Sequence, residues 1–305
     1  MILKHLMEIY DILDDSKASG ERVKEYLLGI APQANVETYP IQGPKGSTDM
    51  VRVRIAGKNG KSKGGNAPTI GLLGRVGGIG ARPEVTGFAL SAAAELLNMA
   101  KKGDVLEGDV FISTHVCPDA PTMPHKPVPF MGSPVSMAEV NREEVTDELD
   151  AILCVDTTKG NRIYNKKGLA ISPTVKEGYI LRVSEDLLSI MEMATGELPG
   201  VFALTTQDIT PYGNGVFHLN SILQPSTATK APVVGVAVTT QSTVPGCASG
   251  ATHFEDVEEA ARFMIEVAKA FGAERCSFYD AEEYAHLLEL YGSMTHLQTL
   301  GKADN

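Results

Sequence analysis

Apolar runs that alternate with helical segments constrain the fold of this chain more than any other feature. The runs lie at 69–74, 109–113, 151–156 and 232–238, and helical patterns lie at 86–99, 184–195 and 257–271. Short continuous apolar runs are typical of strands buried on both faces, as in parallel sheets. The alternation predicts an α/β fold with a mostly parallel sheet covered by helices on both faces.

The segments before the first run predict two helices and a hairpin. Apolar residues recur at helical spacing over 3–13, and Ser19 is placed to cap a second helix at 22–28. The segments 36–39 and 50–55 alternate apolar and polar residues around a Gly/Pro/Lys turn, which predicts two paired strands.

Two further segments have local predictions. The glycine- and lysine-rich stretch 57–65 lacks the spacing of a phosphate-binding loop, so we expect an exposed loop. Asp256 is predicted to cap the helix at 257–271, and the tail from Ala281 is predicted to begin as a helix.

Composition limits the class of partner. The 305 residues are sufficient for a full hydrophobic core, and we expect a single α/β domain over 1–305. A net charge of -11 disfavours nucleic acid and anionic membranes, because both would be repelled. Four widely spaced cysteines and a charged N-terminal segment indicate a cytoplasmic protein with reduced thiols. We therefore expect a small-molecule or peptide-like substrate, no nucleic acid, no membrane, and a homo-oligomer.

The segment after the first apolar run suits an anion. Ligands of open α/β sheets bind at the carboxyl ends of the strands. Arg75 and Arg82 flank a glycine-rich turn there, just before a helix, so two guanidiniums and backbone amides could bind a substrate carboxylate. Alternatively, the glycines only permit a tight turn and the arginines pair with acids such as Glu84.

The segment after the second run is dense in groups that bind metals or transfer protons. His115, Cys117, Asp119 and His125 lie within eleven positions of one another. Their spacing matches no established ligand pattern, and the prolines around them could serve only to stiffen a loop. Cys117 beside a histidine could act as a nucleophile, or it could be a buried inert thiol.

Three more polar residues are candidates for the site. Asp156 ends the third apolar run, where it could bind a cation or substrate, or could simply be a turn acid. Asp208 and His218 lie in a glycine-containing segment that could close over a ligand. His253 is interpreted as part of the cap of the following helix.

The order of these parts resembles that of the zinc exopeptidase superfamily, the clan of aminopeptidases and carboxypeptidases with a two-metal site. The segment from Gly80 to Gly87 is similar to the superfamily's Gly-Ala-x-Asp-x-x-Ser/Thr-Gly motif. The resemblance implies a zinc-exopeptidase-like (phosphorylase/hydrolase-like) fold. The stretches GRVGGIGARP and STHVCPDAPTMPHKPVPFM also resemble those of a bacterial and archaeal family of unknown function.

Most positions that the resemblance assigns to zinc carry other residues. Arg75-Val76-Gly77 stands where the superfamily has a His-x-Asp, and Pro83 stands where it has the bridging Asp. The position of the superfamily's catalytic Glu pair falls near Pro118-Asp119. The last His has no equivalent in 243–252, and Asp156 alone matches its ligand position. Zinc requires imidazole, carboxylate or thiolate ligands, so an intact two-metal site is not expected.

Two functions follow from this sequence. The first is a hydrolase-like enzyme for small peptide-like or amide substrates, with a remodelled site. In it, His115, Cys117 and Asp119 are the catalytic candidates, and Asp156, His115 and Asp119 are candidate ligands of a divalent metal such as zinc. The candidate substrate-binding residues are Arg75, Arg82, Glu84, His125, Asp208 and His218. The second function is a catalytically inactive protein of the same fold that binds a small anionic or peptide ligand.

Overall fold

A computed structural model describes the greater part of the chain. The described residues are 2–43, 45–74, 84–120, 122–124, 130–131, 134–158, 160–203, 221–242 and 254–298, with only the backbone described at 84–86, 122–123, 130–131 and 221. All structural statements below concern these residues.

The elements alternate between strands and helices, as the sequence predicts. The helices are α1 (Ile2–Leu13), α2 (Gly20–Ile30), α3 (Glu84–Lys101), α4 (Met137–Glu144), α5 (Glu185–Thr195), α6 (Phe254–Gly272) and α7 (Ala281–Tyr291). The strands are β1 (Asn35–Gly43), β2 (Gly46–Ile55), β3 (Ile70–Gly74), β4 (Val110–Val116), β5 (Thr122–Met123), β6 (Phe130–Met131), β7 (Ala151–Thr158), β8 (Gly168–Ile171), β9 (Val175–Lys176), β10 (Tyr179–Ile180), β11 (Gly200–Val201) and β12 (Val233–Thr239). Short 3-10 helices occur at Lys61–Lys63, Ser221–Thr227 and Thr295–Leu297.

Ten of the described strands form one mixed sheet. Its main path has the order β1-β2-β4-β3-β7-β12-β8-β11. The central strands β4, β3, β7 and β12 are parallel to one another, whereas β2 and β8 pair antiparallel on either side of them. The α/β class is confirmed, and the parallel pairing that the apolar runs predict is found at the centre of the sheet.

Alternation along the central strands divides their side chains between two faces. We call the side towards which Ile70, Leu72, Ile112, Leu153 and Val234 point the first face, and the opposite side, with Leu73, Phe111, Ile152 and Val233, the second face. Side chains of successive strand residues point to opposite sides, so each strand contributes to both.

Helices α1, α2, α3, α5 and α6 pack on the first face and form the larger core. Their apolar stripes explain this placement: α1 buries Leu6, Ile9 and Leu13, and α3 is buried along most of its described length. Ser19 caps α2 by accepting a hydrogen bond from the Arg22 amide, as the sequence predicts.

A thinner layer covers the second face. Ile222 and Leu223 of the 3-10 helix Ser221–Thr227 pack against β7 and β12. Helix α4 lies beside it, next to β1 and β2, where Glu143 of α4 contacts Tyr39 of β1 and pairs with Arg52 of β2. Asn141 of α4 joins the two parts of the layer by donating to the Gln224 carbonyl at 3.3 Å.

Two local predictions have different outcomes. The stretch 57–65 is an exposed loop, as expected, and its backbone is tied down because Gly57 and Ser62 amides donate to the Asp109 carboxylate. The predicted cap at Asp256 is wrong, because α6 begins at Phe254 and Asp256 lies within its first turn. A carboxylate in the first turn still opposes the positive end of the helix dipole.

The described helices include none that is long and apolar enough to cross a membrane.

Candidate functional site

His115 and Cys117 come together on the second face because they are two residues apart at the end of β4. His115 is 1% exposed and Cys117 is buried. Thr48 of the neighbouring strand β2 contacts both, since its Oγ lies 3.1 Å from His115 Nδ1 and its side chain also hydrogen-bonds Cys117. The antiparallel pairing of β2 with β4 positions Thr48 for both contacts.

The hydrogen bonds of Thr48 assign the tautomer of His115. The Thr48 hydroxyl donates to the Val116 carbonyl at 3.0 Å, and a hydroxyl has a single proton to give. With that donation, the hydroxyl oxygen is the acceptor in its contact with His115 Nδ1, which corresponds to the Nδ1–H tautomer of the ring. In the neutral ring this leaves the lone pair on Nε2, the atom that would accept a proton or bind a metal.

Cys117 and Asp119 differ in their exposure. Burial raises the pKa of the Cys117 thiol above its ordinary value, so the thiol is protonated at neutral pH. Its Sγ lies 3.5 Å from the Ser47 carbonyl. Asp119 is exposed, and its amide hydrogen-bonds Cys117. Cys117 therefore lies in the protein interior, whereas Asp119 lies at the surface.

Asp156 lies on the same face and at the same level as His115. Leu73 of β3 pairs with Ser113 on one side and with Cys154 on the other. Two residues further along, His115 and Asp156 therefore lie in one row across the parallel strands, separated by two strand spacings or about 10 Å. Asp156 is 8% exposed, and its Oδ1 accepts from the Thr157 amide at 2.7 Å.

The layer that covers the second face adds buried polar groups that the sequence interpretation missed. Asn141 and Glu144 lie with Val140 on the buried side of α4, and Glu144 is fully buried. Gln224 of the adjacent 3-10 helix is 1% exposed. Residues 140, 141 and 144 have the spacing of one helical face. Because α4 is mostly polar, the sequence does not indicate that this face is buried.

Two of the buried polar side chains on the second face lack hydrogen-bond partners in the described part of the chain. They are Gln224, at both Oε1 and Nε2, and Ser113, at Oγ. A buried donor or acceptor without a partner reduces stability by about 1–3 kcal/mol. Native proteins keep few such groups, and each requires an explanation, such as a bound molecule.

Glu143 fixes α4 over the second face. Tyr39 donates to its carboxylate at 2.6 Å, Arg52 Nη2 donates at 2.9 Å, and Arg52 also donates to the Glu143 carbonyl. The hydrogen bond from Tyr39, followed by that from Arg52, holds the pKa of Glu143 below its ordinary value. Helix α4 is thus anchored by a charged network to β1 and β2.

Comparison with known families places the chain. A family model described as "Protein of unknown function (DUF1177)" matches residues 39–301. The chain belongs to the DUF1177 family. Comparison with curated proteins gives no match.

The DUF1177 chain has a fold similar to those of solved aminopeptidase and glutaminyl cyclase structures. It is similar to the LapA aminopeptidase of Legionella pneumophila, with a TM-score of 0.52 and 10% identity over 91% of this chain and 72% of that chain. A tomato leucine aminopeptidase variant gives a TM-score of 0.56 at 10% identity, over 88% and 60% of the two chains. A glutaminyl cyclase of an Acidobacteriales bacterium gives 0.50 at 12% identity, over 90% and 94%. At these identities the likeness shows the fold, and it confirms the exopeptidase-like architecture.

The residues expected to bind a metal do not assemble into a site within the described part of the chain. There, no group of three or more His, Cys, Asp or Glu side chains is arranged to hold a metal ion. His115 is buried whereas Asp119 is exposed, and Asp156 lies two strands away. These three residues do not by themselves fit a zinc ion, which needs its ligand atoms at about 2.0–2.3 Å.

Several predicted site residues fall outside the described residues. They are Arg75, Arg82, His125, Asp208 and His218, together with His253 and the replaced ligand position Pro83. Glu84 is the first residue of α3, described by its backbone alone. Their roles stay predictions.

A separate cavity of about 340 Å³ lies between β8 and the two first-face helices α5 and α6. Lys167, Met191 and Glu259 are among its lining residues, and none of the predicted site residues lines it. Burial, followed by the charges of Asp256 and Glu197, raises the pKa of Glu259. The cavity and the second-face cluster are therefore distinct features.

Proposed function

We propose that this DUF1177 protein is a hydrolase-like enzyme for small peptide-like or amide substrates, and that it acts at the carboxyl ends of β4 and β7. The observation that carries the proposal is the row formed by His115 and Asp156, which are both buried at the same level of the second face. Carboxyl ends of parallel strands are where open α/β sheets bind ligands. The similarity to aminopeptidase structures supports a hydrolase-like reaction.

His115 is the general base of the proposed reaction. Thr48 fixes its Nδ1–H tautomer, so Nε2 accepts a proton from the water that attacks the amide carbonyl. The carbon–nitrogen bond then breaks, and the same proton passes to the leaving amine. Asp119 is the alternative base, because it is exposed beside Cys117 and can contact a ligand from the solvent side.

The remaining residues bind or orient the substrate in this proposal. Asp156 orients the bound molecule from the end of β7, two strand spacings from His115. Cys117, with its protonated thiol, shapes the wall beside His115 rather than attacking the substrate. The predicted group Arg75, Arg82, Glu84, His125, Asp208 and His218 is proposed to contact the substrate, with the two arginines on its carboxylate.

Hydrolysis of a panel of dipeptides and amino-acid amides tests the function. We expect turnover of at least one member and a loss of about 100-fold or more in His115→Ala, since a general base contributes about 10²–10⁴-fold. Asp119→Ala shows whether the exposed carboxylate is needed instead. His286→Ala is the matched control, because that histidine is exposed on α7. Absence of turnover across the panel contradicts the enzymatic proposal.

Element analysis of the purified protein decides whether a divalent metal takes part. Stoichiometric zinc or manganese that disappears in His115→Ala supports a metal-assisted form of the reaction, with ligands from outside the described residues. Turnover by metal-free protein supports proton transfer by His115 alone. A protein that binds members of the panel without hydrolysing them is the inactive binding protein that the sequence leaves open.

A further inference from the structure

The side-chain amide of Gln224 is buried but makes no hydrogen bond to the described part of the chain. It is 1% exposed, yet neither Oε1 nor Nε2 has a hydrogen-bond partner within the described residues. Its backbone carbonyl, in contrast, accepts from Asn141 at 3.3 Å and from Thr227 at 2.8 Å. The main chain at this position is thus hydrogen-bonded, while the side-chain amide has no hydrogen-bond partner in the part of the chain that the structure describes.

A second glutamine, Gln298, contacts the segment that carries Gln224 and shows what a structural role looks like. Gln298 Nε2 donates to the Ser226 carbonyl at 2.8 Å and to the Thr229 carbonyl at 2.5 Å. Gln298 therefore ties the C-terminal segment to the 3-10 helix that carries Gln224. The two glutamines differ in that only Gln298 uses its side-chain amide for protein contacts.

The position of Gln224 connects it with the candidate site. The 3-10 helix packs on β7 and β12 on the second face, where β7 also carries Asp156. Asn141 links Gln224 to α4, and Glu144 lies one turn along the same buried side of α4. Gln224 therefore belongs to the layer that covers the second face, the face on which His115 and Asp156 lie.

We infer that Gln224 is a substrate-binding residue that recognises a planar, uncharged amide group within the ligand. A carboxamide offers N–H donors and a C=O acceptor in one plane, and another amide presents the complementary pair. Buried carboxylates of Glu144 and Asp156 in the same region disfavour an anionic group. The choice of an amide rests on the proposed amide hydrolysis, but its test measures binding and not turnover.

Calorimetric binding of 4-methylpentanamide and methyl 4-methylpentanoate tests this inference. Neither compound has the free amine on which an aminopeptidase-type reaction depends, and the ester is similar to the amide in shape but has no N–H donor. We expect wild-type protein to bind the amide about five- to tenfold more tightly, the effect of one net hydrogen bond. Equal affinity for amide and ester, or no binding of the amide, overturns the inference without any variant.

Gln224→Met and Gln298→Met extend the test to stability. Gln224→Met should lose the preference for the amide and keep or raise the melting temperature, because no protein hydrogen bond is removed. Gln298→Met should lower the melting temperature by several degrees and keep the preference. An equal fall in melting temperature in both variants would assign Gln224 a structural role and overturn the inference. If the preference depends on Gln224 but no panel member is hydrolysed, the binding site stands and the enzymatic proposal alone fails.

Discussion

The two faces of the central strands carry different chemistry at the same end of the sheet. Towards the first face, β4 ends in Val116, β7 presents Val155, and β12 presents Val238, all of which belong to the main core. Towards the second face, the same two strands β4 and β7 present His115 and Asp156. The same ends of these strands therefore carry apolar core residues on one face and polar residues on the other.

Within a single strand, the residues of the first face therefore stabilise the fold, and the residues of the second face form the candidate site. The first face is packed by five helices, and its apolar side chains lose area to water when buried, which stabilises the fold. The second face holds polar groups whose burial opposes folding, including Gln224 and Ser113, which lack partners among the described residues. Groups kept against stability are expected where a ligand binds.

The largest stability effect is expected on the first face. Leu153→Ala removes a fully buried side chain from β7, and such changes reduce the free energy of unfolding by about 2–5 kcal/mol. Turnover per folded molecule should stay unchanged, because the second face of β7 is untouched. Chemical denaturation measures the loss, and Leu198→Ala, at an 86% exposed leucine, is the control. A loss below 1 kcal/mol in Leu153→Ala would contradict the assignment of the core.

The thiols of the two faces should be similarly unreactive. Burial raises the pKa of Cys117 on the second face, and burial raises the pKa of Cys276 in the first-face core to about 12. We expect both to react with iodoacetamide at pH 7.5 at least about tenfold more slowly than a free thiol, because the thiolate is the reactive form. Mass spectrometry of the labelled peptides measures this. Rapid labelling of Cys117 alone would restore the interpretation of Cys117 as a nucleophile.

Removal of the charge that anchors α4 should give a smaller loss in the free energy of unfolding, and this loss should depend on pH. Glu143→Gln weakens hydrogen bonds from Tyr39 and Arg52 and should reduce the free energy of unfolding by about 1 kcal/mol, since the carboxylate is partly exposed. The pKa of Glu143 is lowered in the folded protein. Its contribution to the free energy of unfolding is therefore fully present above the ordinary pKa of a glutamate, and it is lost as the pH falls through the lowered pKa. Denaturation at pH 7 and pH 3 measures this.

In Glu143→Gln the difference from wild type should therefore shrink on acidification. Glu25→Gln, at an exposed residue of α2, should show no such change and serves as the control. A difference that stays constant between the two pH values would contradict the charged anchor.

The smallest effect is expected at Ser113 on the second face. Its Oγ has no partner in the described part of the chain, so Ser113→Ala removes no hydrogen bond. We expect the free energy of unfolding to change by less than about 0.5 kcal/mol or to rise slightly. A loss of 1 kcal/mol or more, measured by chemical denaturation, would show that the hydroxyl is bonded in solution.

Much of the fold was predictable because buried parallel strands are continuous apolar runs. The runs at 69–74, 109–113, 151–156 and 232–238 all became central strands. The short strands β8 to β11 were not predicted, since two to four residues carry too little periodicity to identify. The beginning of α6 was misplaced because Asp256 has the composition of a cap but lies inside the first turn.

The candidate site was less predictable because it combines distant segments. His115 and Asp156 were found from their positions at strand ends. Thr48 was missed because its contact with His115 depends on the pairing of β2 with β4, which a single sequence does not reveal. Glu144 and Gln224 were missed because each lies in a short polar element, and their burial follows only from packing against the sheet.

Substitution of two buried histidines, one in each layer, tests the central claim most directly. His5 of α1 is 7% exposed and lies 2.8 Å from the Tyr26 hydroxyl in the first-face layer, whereas His115 lies on the second face. The measurement is the turnover of the preferred panel substrate by His5→Gln and His115→Gln, with melting temperatures as the control for folding. We predict that His115→Gln loses about 100-fold or more of the turnover with a small change in melting temperature, whereas His5→Gln retains turnover within about twofold. Equal turnover in the two variants, or greater loss in His5→Gln, would contradict the division of labour between the two faces.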